Sequence, residues 1–180
     1  MIRKTVAASA LALSLVSTAH ALDGASIEVG AGDESTDLWR AGLQWNWKQQ
    51  WFTARSWTLG AYWDLQAGRW SAPLRPGQPQ QEVWDIAITP VFRLERNART
   101  ALVPYVEAAI GFHLLSDQQV NSKRIFGTHF QYGDHLGFGV RFGERYRYDA
   151  GVRLQHLSNG GLDEPNPGIN FVELRLAYRY

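Results

Sequence analysis

Val172-Glu173-Leu174-Arg175-Leu176-Ala177-Tyr178-Arg179-Tyr180 closes the chain. Apolar and polar residues alternate through it, up to a terminal aromatic. A period of two is the mark of a strand with two unlike faces. The same alternation recurs upstream. Tyr146, Tyr148, Ala150, Val152 and Leu154 share one parity, against Arg147, Asp149, Gly151, Arg153 and Gln155. Leu136, Phe138, Val140 and Phe142 form another such row, and so do Leu102, Pro104, Val106, Ala108, Ile110, Phe112 and Leu114. Further rows are Trp84 to Leu94, Trp57 to Leu65, Trp39 to Trp47 and Ile27 to Ala31.

That makes eight runs, an even number, each near the length a tilted membrane-crossing strand needs. Eight strands close into a barrel whose interior is filled by side chains. The expected fold is therefore all-β: an eight-stranded antiparallel transmembrane β-barrel of the outer membrane. Its inward parity is rich in Arg, Glu, Asp, Gln and Gly, which predicts a packed polar interior of paired charges and not an open pore. Pro90 and Pro104 fall on the apolar parity, where each forfeits a ladder bond, and predict bulges or strand ends. A soluble lipocalin-type barrel, with the apolar parity around an internal cavity, is the alternative fold. The terminal aromatic behind alternate apolar residues resembles the sorting signature of outer-membrane proteins and favours the membrane barrel.

Composition agrees. The chain has 180 residues with eight Trp, seven Tyr and eight Phe, yet its mean hydropathy is −0.29. With no cysteine it has no disulfide, thiolate metal site or Cys nucleophile. Arg3 and Lys4, the apolar run Thr5 to Val16 and Ala19-His20-Ala21 have the order of a secretory signal. The expected domains are a signal peptide at 1–21 and a single barrel at 22–180. Losing Arg3 and Lys4 takes the formal charge from +1 to −1. Nothing in that balance calls for a nucleic-acid partner. The segments 32–36, 71–81, 116–127 and 159–168 are the expected extracellular connections, with Ser71 to Gln81 and Ser116 to Gly127 the long loops.

The chemistry-bearing stretch is His156-Leu157-Ser158-Asn159-Gly160-Gly161. It extends the seventh run, so His156 and Ser158 fall on the lipid-facing parity. Side chains two apart on a strand share a face, close enough for an imidazole to serve a hydroxyl as general base. Asn159 and the glycines add amide groups beside that hydroxyl, as candidate oxyanion donors or simply as a turn. His113, His129 and His135 lie on the lumen-facing parity and are expected as packed polar residues. Asp134 falls on the lipid parity despite its charge.

The segment from His156 to Leu162, followed by Pro165-Asn166-Pro167-Gly168-Ile169, resembles the outer-membrane lipid A 3-O-deacylases, the PagL family. Phe130 to Gly139 resembles that family's other distinctive segment. The resemblance implies an eight-stranded barrel that hydrolyses the ester-linked acyl chain at position 3 of lipid A, with no metal or cofactor. It implies Ser158 as nucleophile and His156 as base, with Asn159 and the N–H of Gly161 as the oxyanion hole. The implied partners are lipid A or lipopolysaccharide and the outer membrane, with a homodimer as a further candidate assembly. The family's third member is a Glu after the P-N-x-G-I turn, where this chain has Asn170. Parity puts Asn170 on the face of His156 and Glu173 in the lumen. The expectation is a Ser158–His156–Asn170 arrangement, with Glu173 as the fallback third member. The alternatives are a structural or adhesive barrel without catalysis, and another lipid A enzyme such as a transacylase.

Overall fold

The computed structural model describes residues 21–54, 56–75, 79–96 and 100–180. The leader expected at 1–21 lies, but for Ala21, outside them. The strands are β1 (Gly24–Gly32), β2 (Thr36–Asn46), β3 (Phe52–Ala54), β4 (Trp57–Pro73), β5 (Gln80–Arg96), β6 (Leu102–Leu115), β7 (Phe130–Phe142), β8 (Tyr148–Ser158) and β9 (Ile169–Arg179). Each long strand pairs antiparallel with its neighbour in sequence, and β1 pairs β9. A β2–β4 ladder bypasses the short β3 and closes the ring, so eight strands form the barrel. Closure pairs each of the eight long strands on both sides, the condition for strands to sit in hydrocarbon. The terminal strand that opened the sequence reading is therefore a closing strand, held between β8 and β1.

Parity decides which way each side chain points. Val172, Leu174 and Leu176 are exposed on the outer wall, while Glu173 and Arg175 are buried inside. The lumen holds Arg40, Arg93, Arg153 and Arg175 among Glu28, Asp64, Asp85, Glu107, Asp149 and Glu173. Arg153 reaches Glu28 at 2.6 Å and Glu107 at 2.8 Å. Such charges tolerate burial only when paired and hydrogen-bonded, and here they are cross-linked around the ring.

Several local expectations change. Strands β4 and β5 extend to Pro73 and from Gln80, so the expected 71–81 loop shrinks to the residues between them. Tyr146 belongs to a short 3₁₀ turn and not to the seventh run. Pro90 makes no bulge. The β5–β6 ladder skips it and resumes in the same register, from Ile88↔Phe112 to Val91↔Ala109. Pro104 sits just beyond the last β5–β6 pair, Glu95↔Tyr105, and its ladder partner is Val140 of β7. His113 and His135 are buried as expected, but His129 is exposed just before β7, its Nδ1 bonded to Leu115 O.

Two aromatic belts ring the outside. At the end carrying Asp23 and Tyr180, Trp47 packs on Trp63 and Phe92, and Phe142, Tyr148, Tyr178 and Tyr180 form a chain of ring contacts. At the loop end lie Trp39 with Trp84, and Phe112 with Phe130 and Tyr132. Along β7, Tyr132 and Phe142 mark the two belts. Ten residues at about 3.4 Å each, tilted by about 40°, give an apolar band about 26 Å tall, the height expected of an outer-membrane barrel.

The loop end is plugged from inside by an apolar cluster that the sequence reading did not anticipate. Val120 and Phe126, from the connection between β6 and β7, fold into the mouth against Leu38, Trp70, Leu157, Ile169 and Phe171. Leu157 lies between His156 and Ser158, and Ile169 precedes Asn170. The outward-facing residues in question are thus backed by a packed core on the same two strands.

Candidate active site

Strand pairing brings His156 opposite Asn170. The side chains meet on the outer wall, with His156 Nδ1 at 2.8 Å from Asn170 Oδ1. This is the contact that parity predicts. Glu173 is corrected as third member: it is fully buried in the lumen, 3.4 Å from Arg40, on the opposite face of β9. No loop distortion brings it round, because the β8–β9 ladder is regular from Tyr148↔Tyr178 to Leu157↔Ile169.

The bonding pattern assigns the protons. Asp33 Oδ2 accepts from the backbone N–H of Asn170 at 3.0 Å and from its Nδ2 at 3.1 Å. A carboxylate only accepts, so the Asn170 amide nitrogen faces Asp33 and its oxygen faces His156. Nδ1 of His156 then carries the proton and donates it to Asn170. Nε2 is left with its lone pair, as a general base requires.

Ser158 shares this outer face, two residues on, and stands in register with Tyr132 of the loop-end belt. Its hydroxyl makes no hydrogen bond among the described residues. Gly168 closes the other side of the ring. Its φ is +61°, and a Cβ there would come within 2.8 Å of His156 Cε1. The end of the Pro165-Asn166-Pro167-Gly168 turn thus lies against the imidazole, at a position that favours glycine.

The expected oxyanion donors are engaged elsewhere. Asn159 is fully buried and its Nδ2 donates to Asp163 O at 2.7 Å. The N–H of Gly161 donates to Asn159 Oδ1 at 2.9 Å. The Asn159 backbone N–H donates to Asn166 Oδ1 at 2.9 Å. Asn159 thus staples the turn together, which is the turn alternative the sequence left open. The N–H of Gly160, at φ +65°, makes no hydrogen bond among the described residues.

Three further residues complete the surroundings. Asp33 comes from the turn between β1 and β2. Arg124, from the plugging loop, donates to Asp33 Oδ2 at 3.0 Å and to Gly168 O at 2.7 Å. Asp134 pairs across the ladder with His156 and is exposed on the same wall, without any strand irregularity. Sequence singled out neither Asp33 nor Arg124; barrel closure and loop docking bring them in. Below these residues a groove of about 350 Å³ runs between Leu136, Leu154 and Val172. A separate apolar trough of about 740 Å³ lies further along the same strands, beside Ile27, Phe138, Val152 and Leu174. From His156 to Ala150 the path is six strand residues, about 20 Å. Among the described residues no group of three or more His, Asp or Glu is placed to hold a metal ion.

Fold and site together define an outer-membrane β-barrel with a histidine and a serine on its lipid-facing wall. Residues 38–179 match the family described as lipid A 3-O-deacylase (PagL). Two relatives called lipid A deacylase PagL span nearly the same length. That of Pseudomonas aeruginosa is 32% identical over 166 residues, covering 92% of this chain and 91% of the relative. That of Bordetella bronchiseptica is 33% identical over 181 residues, covering 95% and 91%. The crystal structure of the outer membrane enzyme PagL superposes with a TM-score of 0.74 at 30% identity, covering 86% of this chain and 98% of that one. The chain belongs to the lipid A 3-O-deacylase family, and it is an outer-membrane barrel with the ester-hydrolase character of that family.

Proposed function

We propose that the protein is a lipid A 3-O-deacylase working as a serine esterase, with Ser158 as nucleophile and His156 as base. One observation carries this reading. The His156–Asn170 hydrogen bond lies on the outer wall, beside Ser158 at the level of an aromatic belt and at the head of a groove that Leu136, Leu154 and Val172 line. An ester-linked acyl chain of a membrane lipid meets its sugar at that depth. The sugar stays at the headgroup level and the chain descends along Leu154 and Val152.

The chemistry follows from the proton assignment. Nε2 of His156 takes the Ser158 proton as Oγ attacks the carbonyl carbon. The ester C–O bond breaks, and the sugar 3-oxygen leaves with the proton returned by the imidazolium. Water, deprotonated by the same nitrogen, then attacks the acyl-serine. The fatty acid departs and Oγ regains its proton. The N–H of Gly160 is the turn amide offered to the developing oxyanion, in place of Asn159 and Gly161.

The test is covalent labelling of the full chain in detergent with an alkyl fluorophosphonate, read by peptide mass spectrometry. The adduct is expected on Ser158 and is expected to vanish in His156→Asn. Labelling elsewhere, or none in a folded protein, refutes the assignment.

A further inference from the structure

Asn170 holds the imidazole, but it is neutral. A neutral partner orients the base without offering charge to the imidazolium that forms during acyl transfer. The nearest carboxylate on that wall in contact with Asn170 is Asp33. Its Oδ2 accepts from both the backbone N–H and the side-chain amide of Asn170. These three residues make one hydrogen-bonded line, His156 to Asn170 to Asp33, along the outside of the barrel.

We propose that Asp33 is a positioning residue for this hydrolysis: through Asn170 it fixes the tautomer of His156 and supplies the negative charge that Asn170 lacks. The proposal rests on the Ser158–His156 reading. Three features of the fold place Asp33 there. The β1–β9 ladder ends at Gly32↔Phe171, so the residue that follows β1 falls opposite Asn170. Gly32 lets the strands approach, since a Cβ there would lie 2.5 Å from the Phe171 ring. The turn that follows is held by Thr36 Oγ1, donating to Asp33 O at 2.7 Å.

Arg124 bears on the same carboxylate, with Nη2 3.0 Å from Oδ2, while Glu34 is paired with Lys123 at 2.9 Å. Arg124 also holds Gly168 against the imidazole. A competing role is therefore plain: Asp33 as an anchor for the plugging loop, with no influence on the base. The two roles separate in a double-mutant cycle. A residue acting through Asn170 loses its effect when Asn170 is gone, whereas an anchor's effect adds.

The experiment measures kcat and KM on purified lipid A in detergent. It compares wild type, Asp33→Asn, Asn170→Ala, the double variant and Ser158→Ala, each checked for folding by far-ultraviolet circular dichroism. Asp33→Asn is expected to lower kcat about tenfold with KM nearly unchanged, the size of a screened charge interaction through one intervening residue. The double variant is expected to be no slower than Asn170→Ala. Additive losses, or an unchanged kcat in Asp33→Asn, overturn the proposal while leaving the esterase reading intact. Full activity in Ser158→Ala overturns the esterase reading itself. Should Asp33→Asn not fold, ¹⁵N NMR of His156 in the wild-type protein decides instead. A proton on Nδ1 is expected, and one on Nε2 overturns the proposal.

Discussion

Gly168 is where one methyl group tests the site most sharply. Its φ of +61° is left-handed, and an alanine there would carry strain of about 1–2 kcal/mol. The larger effect is on the neighbour. The added Cβ would stand 2.8 Å from His156 Cε1 and 3.3 Å from Nε2. Carbon atoms settle at about 3.5–4.0 Å, so the ring must retreat by roughly 0.7 Å or more. That movement disturbs the 2.8 Å bond to Asn170 and displaces Nε2. Misplacing a catalytic group by about 1 Å costs on the order of a hundredfold in rate. Gly168→Ala is therefore expected to lower kcat/KM for lipid A deacylation by about 10–100-fold, with a stability loss of only about 1–2 kcal/mol. Gly143→Ala is the control. Its φ of +78° and ψ of −173°, with an added Cβ 2.5 Å from Tyr148 Cδ2, carry at least as much strain at the opposite end of the barrel, so it is expected to weaken the fold and leave turnover per folded molecule intact. A folded Gly168→Ala enzyme with a wild-type rate would show that the imidazole position is not set by this turn.

Glu173→Gln should leave turnover per folded molecule nearly unchanged and lower stability in urea by about 1–3 kcal/mol, because Arg40 keeps Asp85 at 3.0 Å. A collapse of activity in a folded Glu173→Gln protein would restore the lumenal carboxylate as a catalytic partner. Arg153→Met strips Glu28 and Glu107 of their shared cation and is expected to cost about 3–5 kcal/mol in equilibrium unfolding. An equally stable variant would mean that the interior charges are not coupled. Val152→Trp fills the apolar trough below the site, so long acyl esters should slow relative to short ones in a chain-length series. An unaltered preference would place the acyl chain elsewhere.

The outer and inner faces of the wall were legible because a period of two survives along the eight long strands, and the alternation at Val172 to Tyr180 is the clearest instance. The His156–Asn170 contact was legible for the same reason: both residues sit on the lipid parity of adjacent strands. What parity cannot give is partnership between distant segments. Asp33 is 137 residues from Asn170 and meets it only because β1 closes on β9. Arg124, Val120 and Phe126 lie in a connection with no periodicity, and only folding into the barrel mouth gives them roles. The motif left two roles open at Asn159. A side-chain amide beside a serine suits an oxyanion, but the tight turn needs that amide for its own backbone. Pro90 misled by its missing N–H, because the ladder can skip two pairs without shifting register.

The central claim is that Ser158 on the lipid-facing wall removes the 3-O-acyl chain from lipid A. Mass spectrometry of lipid A from a Gram-negative host expressing the wild-type chain or Ser158→Ala measures it most directly. Wild type is predicted to shift lipid A down by the mass of one ester-linked chain at position 3, and folded Ser158→Ala to leave it whole. Intact lipid A with folded wild-type protein, or the same loss with Ser158→Ala, would contradict it.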